Sequence, residues 1–153
     1  MPKKTLYFAY TSLLDPDRIA EVAPDAEFLV AAYHPETKLS FARLESGGDA
    51  ATLTREQGST VWGGVFEIPG SRVEALVAAE KREGRSPGFD ERAVDREGGK
   101  HDCLTFIAAG GDGAERKPPA TELAAMIRGA RHWGLPAGWV MGLEDLGEDA
   151  PLL

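Results

Sequence analysis

The segment Val61–Gly84, with the sequence VWGGVFEIPGSRVEALVAAEKREG, changes its hydrophobic pattern halfway along. Its first part, up to Ile68, is rich in β-branched and aromatic residues, which is typical of a buried strand. After Pro69-Gly70 the apolar side chains recur with helical spacing, at Val73, Leu76 and Val77. The segment therefore predicts a strand that is followed directly by an amphipathic helix.

Capping residues predict where the helices begin and end. Ser71 is the predicted N-cap of this first helix, and Gly84 suits the position after its end, so the helix is expected to run to about Glu83. Pro16 is expected to begin a short helix near the N-terminus. Two more helices are predicted near the C-terminus, from the cap Thr121 to Gly134 and from Leu135-Pro136 to Leu146.

Short runs of apolar and β-branched residues predict strands on both sides of the Val61–Gly84 segment. They lie at Thr5–Tyr10, Phe28–Tyr33, Leu39–Leu44, Ala51–Arg55, Arg92–Asp95 and Cys103–Ala109. Residues with turn chemistry separate them, at His34–Glu36, Ser46–Asp49, Glu56–Ser59 and Gly98-Gly99. Such close spacing favours antiparallel pairing in a curled sheet or a barrel.

The order of the predicted elements indicates the fold class. Strands dominate the first half and helices come later, without a regular βαβ alternation, so we expect an α+β fold rather than a doubly wound parallel sheet. A chain of 153 residues is the usual size of one domain. We therefore expect residues 1–153 to form a single domain, with a frayed tail from about residue 147.

Composition excludes several classes of function. The chain has 17 basic and 25 acidic residues, a net charge of −8, which argues against nucleic acid or an anionic membrane surface as a partner. It contains no apolar run of transmembrane length and no secretory signal, so a cytoplasmic protein is expected. A single cysteine, Cys103, excludes an internal disulfide and is expected to be a buried, inert thiol.

The sequence predicts no metal site. Its three histidines are His34, His101 and His132, and they are far apart without metal-ligand spacing. We expect each of them to be a solvated turn or helix-end residue.

Two carboxylates near the end of the predicted helix stand out. Glu80 falls in the middle of the apolar face, where an ionised carboxylate is costly without a partner. Glu83 lies in the last turn, at the negative end of the helix dipole, which disfavours its charged form. Such a group suits a general base that works near neutral pH. The alternative is structural, with Glu80 in a salt bridge and Glu83 solvated beside Lys81 or Arg82.

Four segments, in order along the chain, resemble the γ-glutamylcyclotransferase-like family, which includes the AIG2-like proteins. Tyr7–Leu14, YFAYTSLL, resembles the family's Y-F-A-Y-G-S-N-L strand and loop, and Val61–Phe66 resembles its V-W-G-V strand. Leu76–Gly84 resembles a helix that ends in L-D-x-x-E-G. Gly129–Pro136, with Trp139 beyond it, resembles G-A-x-x-x-G-L-P-x-x-Y. Together they cover most of the chain.

This resemblance implies a small mixed β-barrel flanked by helices, and an activity. Members of the family convert a γ-glutamyl amino acid or γ-glutamyl amine into 5-oxoproline and the free amine, without a metal or organic cofactor. The family's catalytic glutamate falls on Glu83, with Glu80 and Trp139 in supporting positions. Its substrate-binding loop falls on Tyr10, Thr11, Ser12, Leu13 and Leu14. The implied partner is a small γ-glutamyl compound, and the sequence leaves the oligomeric state unknown.

The chain departs from the family pattern in this loop. Thr11 and Leu13 stand where the family has Gly and Asn, and Trp139 stands in place of Tyr. Gly adopts a positive φ at little cost, whereas Thr does not, and Leu13 offers no amide to orient a ligand. The alternative function is therefore a non-catalytic family member that binds a small polar metabolite in the same place.

Overall fold

The computed structural model describes residues 4–43, 49–88, 92–108 and 119–148. The elements in these residues are β1 (Lys4–Ala9), α1 (Pro16–Val22), β2 (Glu27–Arg43), β3 (Asp49–Pro69), α2 (Val73–Arg82), β4 (Arg85–Pro87), β5 (Ala93–Asp95), β6 (Lys100–His101), β7 (Phe106–Ala108), α3 (Ala120–His132) and α4 (Ala137–Glu148). Two single 3₁₀ turns, Ser12–Leu14 and Gly70–Arg72, precede α1 and α2. The predicted α+β class is confirmed.

The strands form one large sheet and one small one. The five-stranded sheet has the order β1-β3-β2-β5-β6 with antiparallel neighbours, and β4 pairs with β7 in a second sheet. The large sheet curls so that the segment after β6 returns to its first edge. There, Phe8 donates its N–H to the carbonyl of Leu104 over 3.1 Å, and Leu104 donates to Leu6 over 2.8 Å.

The sheet does not close into the barrel that the sequence predicted. Within the described residues the contact between the two edges is a single parallel bridge, Tyr7 to Leu104, and not a paired strand. The sheet is therefore curled but not closed as a true barrel.

Two predicted turns are wrong, because the chain continues through them as strand. β2 runs through His34–Glu36, and β3 runs through Glu56–Ser59. Their pairing shifts register between Pro35 and Thr37, and Glu36 has a positive φ of 56°. The turn-forming residues therefore do not reverse the chain. They form an irregularity in β2 and another opposite it in β3, within one long hairpin. Another predicted turn, Ser46–Asp49, lies mostly outside the described residues.

Other boundaries also differ from the predictions. Ser71 lies in the turn before α2, and Thr121 lies inside α3, so neither side chain caps its helix. β5 pairs with the short β6 across Gly98-Gly99, whereas β7 joins β4, a strand that the sequence did not reveal. The helix α4 continues to Glu148, and the rest of the predicted tail lies outside the described residues.

Both faces of β1 are buried, and the helices cover one of them. Tyr7 and Ala9 belong to the larger hydrophobic cluster, whereas Phe8 and Tyr10 belong to a second cluster on the opposite face. The larger cluster also contains side chains from the turn after β1 and from α2, α3 and α4, among them Leu14, Leu76, Met126 and Leu143. In the described part of the chain, no helix is long and apolar enough to cross a membrane.

A glycine in α3 permits close packing against the Ser12–Leu14 turn. A Cβ atom at Gly129 would lie 2.2 Å from the carbonyl oxygen of Leu14, so any larger residue must displace this turn. The same oxygen accepts a hydrogen bond of 2.8 Å from the indole N–H of Trp133. Gly129 and Trp133 together fix the position of the turn on the sheet.

We predict that Gly129→Ala destabilises the fold. The added methyl group meets backbone that is held by Trp133, and overpacking of this kind costs about 1–3 kcal/mol. The matched control is Gly142→Ala in α4, where a Cβ meets nothing within 4 Å. This control should be neutral, or more stable by up to about 1 kcal/mol, because Ala has the higher helix propensity. Urea unfolding measures both, and a Gly129→Ala variant as stable as wild type would contradict the packing described.

Candidate functional site

The turn after β1 and the end of α2 meet through one serine and one glutamate. Ser12 donates its hydroxyl to the Glu83 carboxylate, with Oγ lying 2.9 Å from Oε1 and 3.0 Å from Oε2. The two residues are 71 positions apart in the sequence. The fold thus brings together the two segments that the sequence singles out for catalysis and substrate binding.

Local backbone geometry places Glu83 at the helix end. It follows the last residue of α2 and donates its N–H to the carbonyl of Glu80 over 3.1 Å. Gly84 then takes a φ of +86°, a left-handed conformation that Gly adopts without the steric cost of a Cβ atom. The chain turns there into β4. The Glu83 side chain keeps 36% of its surface exposed, so it is accessible to a small ligand.

A buried arginine that the sequence analysis missed joins three carboxylates. Arg85, the first residue of β4, is fully buried. Its Nε donates to Glu80 Oε1 over 3.0 Å and its Nη1 donates to Glu122 Oε1 over 3.0 Å. Nη2 forms a short contact with Glu83 Oε2. Nη1 also donates to the carbonyl of Ala51 over 3.1 Å.

Glu80 is the most deeply buried carboxylate of this network. Its carboxylate is 1% exposed and accepts a hydrogen bond of 3.0 Å from the Tyr7 hydroxyl in addition to that from Arg85. Burial raises the pKa of Glu80, against the lowering effect of Arg85 and the Tyr7 hydrogen bond. Burial likewise raises the pKa of Glu122, which enters the network from α3. The structural alternative from the sequence, a salt-bridged Glu80, describes this residue correctly.

The side chains of the expected substrate-binding loop point mainly into the protein. The Tyr10 hydroxyl donates to the carbonyl of Phe106 over 2.6 Å, and burial raises the pKa of Tyr10. Leu13 and Leu14 pack in the larger hydrophobic cluster. Of this loop, Ser12 is the residue whose side chain contacts Glu83.

Thr11 adopts the loop conformation without positive φ. Its φ is −113°, so a residue with a Cβ atom is tolerated where the family pattern has Gly. The side chain is fully buried, and its hydroxyl has no hydrogen-bond partner in the described part of the chain. The substitution therefore changes the local polarity and volume more than the backbone angle.

Trp139 lies on α4 and packs against both hydrophobic clusters. Its backbone N–H bonds the carbonyl of Pro136 over 2.9 Å. The structure thus gives Trp139 a packing contact that links α4 to the sheet.

The histidines differ from the expectation in two cases. His34 is fully buried beside Phe8, because the strand continues through the segment expected to be a turn. His101 is half-buried and lies 2.8 Å from Asp95 Oδ2, whereas His132 is exposed at the end of α3. Cys103 is buried as expected, and burial raises the pKa of its thiol to about 12. Across the described ranges, no three His, Cys, Asp or Glu side chains are grouped to hold a metal ion.

The sequence indicates the burial of Glu122 but not that of Arg85. Glu122 precedes Met126 by four positions and Gly129 by seven, so helical spacing already places it on the buried face of α3. Arg85 stands alone after a glycine, where no periodicity distinguishes a buried cation from a solvated one.

The burial of Glu80 predicts a pH dependence of stability. A carboxyl whose pKa is higher in the folded protein than in the unfolded chain favours folding while it is protonated. This stability is fully present below the ordinary pKa of 4.5 and is lost as the pH rises through the folded-state value.

Glu80→Gln should therefore lose less stability than wild type as the pH rises from about 4.5 through neutrality. Urea unfolding across this range measures the difference, with Glu74→Gln, an exposed residue of the same helix, as the control. Equal pH dependence in wild type and Glu80→Gln would contradict the raised pKa.

The chain is similar to known cyclotransferases in both sequence and structure. No family model matches the chain. A γ-glutamylcyclotransferase of Mus musculus is 29% identical over 141 residues, which cover 86% of this chain and 72% of that protein. A solved structure of a γ-glutamyl cyclotransferase superimposes with a TM-score of 0.82 at 25% identity, covering 93% of this chain and 87% of the other.

An AIG2-like protein of Mus musculus shares the fold at a greater distance. Its structure has a TM-score of 0.53 and 16% identity, and it covers 69% of this chain and 78% of the other. The four motifs, the shared fold and the named relatives agree, and together they support the resemblance of the chain to the γ-glutamylcyclotransferase-like family.

Proposed function

We propose that the protein is a cyclotransferase that converts a γ-glutamyl amino acid or γ-glutamyl amine into 5-oxoproline and the free amine. The observation that carries the proposal is the contact between Ser12 and the half-exposed Glu83 carboxylate. This contact joins the loop and the glutamate that the family resemblance assigns to substrate and proton transfer. The names of the relatives support the same reaction.

In the proposed reaction Glu83 carries protons from the substrate's α-nitrogen to the leaving nitrogen. The carboxylate first accepts a proton from the α-ammonium group, and the freed amine then attacks the γ-carbonyl carbon of the same molecule. As the bond from the γ-carbon to the leaving nitrogen breaks, Glu83 gives this proton to the leaving nitrogen; it then accepts the second proton, which the ring nitrogen must lose to become the lactam N–H, and this proton passes to the released amine. Because the attack is intramolecular, correct orientation replaces a second reactant. No oxidation state changes, so the proposed reaction needs no redox cofactor.

Exposure distinguishes Glu83 from the other two carboxylates around Arg85. Glu80 is 1% exposed and Glu122 10%, whereas Glu83 is 36% exposed. A general base must come within hydrogen-bond reach of the proton that it removes. Glu83 is therefore the member of the group that we assign to the chemistry, and Glu80 supports it by neutralising Arg85.

The loop is proposed to bind the substrate mainly through its backbone. The side chains of Tyr10, Leu13 and Leu14 are held by other contacts, and the Leu14 N–H donates to the carbonyl of Thr11. The donors that we assign to the substrate are therefore the N–H groups of Thr11 to Leu13 and the Ser12 hydroxyl. Such donors suit a substrate carboxylate or the oxyanion that develops on the γ-carbonyl. Trp139 supports the site through packing.

A non-catalytic role is the second candidate. It is favoured by the buried Thr11 hydroxyl and by Leu13, which change the loop of a family that otherwise uses Gly and Asn there. In that case the same place binds a small polar metabolite without turnover.

We predict that wild type releases 5-oxoproline from at least one member of a panel of γ-glutamyl amino acids and amines. Glu83→Gln should lower kcat by about 10²–10⁴-fold, the usual contribution of a general acid–base group. Glu74→Gln, on the exposed face of α2, is the matched control and should keep wild-type activity. Chromatographic detection of 5-oxoproline measures the activity of all three proteins.

Two results would contradict the proposal. Wild-type activity in a folded Glu83→Gln variant would remove Glu83 from the mechanism. No release from any member of the panel by folded wild type would favour the metabolite-binding alternative, and calorimetric titration with the same compounds would then test it.

Ser12→Ala should slow the reaction less than the loss of Glu83. A hydrogen bond to a charged group contributes about 1.5–3 kcal/mol, so we expect a decrease in kcat/KM of roughly tenfold to a hundredfold. The control is Ser40→Ala, because Ser40 also makes a side-chain hydrogen bond, 2.7 Å to Thr54, but lies on the long hairpin. An equal effect of the two substitutions would show that Ser12 has no specific role.

A further inference from the structure

We propose that Arg85 is a positioning residue that holds the Glu83 carboxylate in the orientation needed for proton transfer. This inference rests on the proposed cyclotransferase activity, because it assigns Arg85 a part in that reaction. Three carboxylates converge on one fully buried guanidinium, and Glu83 is the most exposed of them.

Arg85 uses its hydrogen-bond donors on groups of the protein and not on the substrate. Four of its five N–H donors are used, by Glu80, Glu122, Glu83 and the carbonyl of Ala51. The side chain is fully buried, and pairing of its backbone with Ala108 on β7 fixes the start of β4. Arg85 therefore acts on the reaction through Glu83.

The planar guanidinium determines which Glu83 oxygen faces the substrate. Oε2 accepts from both Arg85 and Ser12, whereas Oε1, within the described residues, accepts from Ser12 alone. Oε1 thus retains the greater capacity to accept a substrate proton. The rigid plane of the Arg85 guanidinium is held by Glu80 and Glu122, and it fixes the direction of the Nη2 donor towards Glu83, whereas the rotatable ammonium group of Lys does not.

Glu80 and Glu122 make it possible for a cation to be buried at this position. An isolated buried guanidinium is costly, and two carboxylates beneath it supply the opposite charge. With Glu83 the group carries one positive and up to three negative charges. Glu83, as the exposed member, is the one whose charge the substrate ammonium can balance.

Removal of Arg85 should change the pH profile of the reaction. The ionisable groups that face Arg85 come from three elements or their ends: Glu80 and Glu83 from α2, Glu122 from α3, Tyr10 from the end of β1 and, through Glu80, Tyr7 from β1. None of these groups is a cation, so Arg85 supplies the positive charge of this cluster. When this charge beside the Glu83 carboxylate is removed, we expect the acid limb of kcat/KM to move to higher pH.

The experiment compares kcat, KM and their pH profiles for wild type, Arg85→Lys, Arg85→Met and the control Arg82→Met. Arg82 is exposed and also lies close to Glu83 in sequence. In Arg85→Met the acid limb of kcat/KM should move up by about 1–3 pH units, and kcat should fall with little change in KM. Arg85→Lys should keep the limb near its wild-type position but have a lower kcat, because it retains the charge and loses the rigid plane. Arg82→Met should match wild type.

If Arg85→Met does not fold, the double variant Arg85→Met/Glu122→Gln replaces it in this experiment. It removes one buried negative charge together with the positive one, and its acid limb should move in the same direction. An unmoved acid limb in a folded Arg85→Met or double variant would overturn the inference. A KM effect with an unchanged kcat would do so too, because it would place Arg85 in substrate binding.

A measurement without turnover separates this inference from the proposed function. The side-chain N–H resonances of Arg85 in wild type should exchange slowly with water, and Glu83→Gln should shift the Nη resonances more than Nε. If wild type turns over no γ-glutamyl substrate, the proposed function fails, and these resonances still report the contact. Arg85 resonances that do not respond to Glu83→Gln would overturn the inference on their own.

Discussion

The buried guanidinium of Arg85 is the interaction on which the site depends. It joins the end of α2, the start of β4 and the buried face of α3 through Glu83, Glu80 and Glu122. A buried charge is tolerated only when opposite charges and hydrogen bonds compensate for its desolvation. The turn between α2 and β4 must therefore reach its final position together with α3, whose Glu122 is 37 positions from Arg85 in the sequence. The result is one half-exposed carboxylate held in a defined orientation.

The rest of the fold brings a substrate-binding loop to that carboxylate. β1 is buried on both faces, so the turn that follows it has little freedom, and Gly129 and Trp133 of α3 hold this turn from outside. Gly84 turns the chain directly after Glu83. Helix α3 thus contacts both halves of the site, the turn through Gly129 and the charged group through Glu122.

The sequence predicted the parts of the site that local patterns encode. Helical spacing placed Glu80 on the buried face of α2, and the glycine at position 84 placed Glu83 at its end, as the structure has them. It did not predict Arg85 as the partner of these carboxylates, although they are only five and two positions away, because the burial of Arg85 depends on its contacts with the distant Ala51 and Glu122. Proline and glycine also misled the prediction of turns, since an irregularity in a long hairpin and a chain reversal use the same residues.

The most direct test of a catalytic Glu83 is a crystal structure of Glu83→Gln with a γ-glutamyl substrate bound. The account predicts that the substrate's α-nitrogen lies within about 2.6–3.2 Å of the side-chain oxygen of residue 83. It also predicts that the same nitrogen is about 3–3.5 Å from the γ-carbonyl carbon, ready for ring closure. A substrate bound with its α-nitrogen away from residue 83, or bound at another surface, would contradict the account.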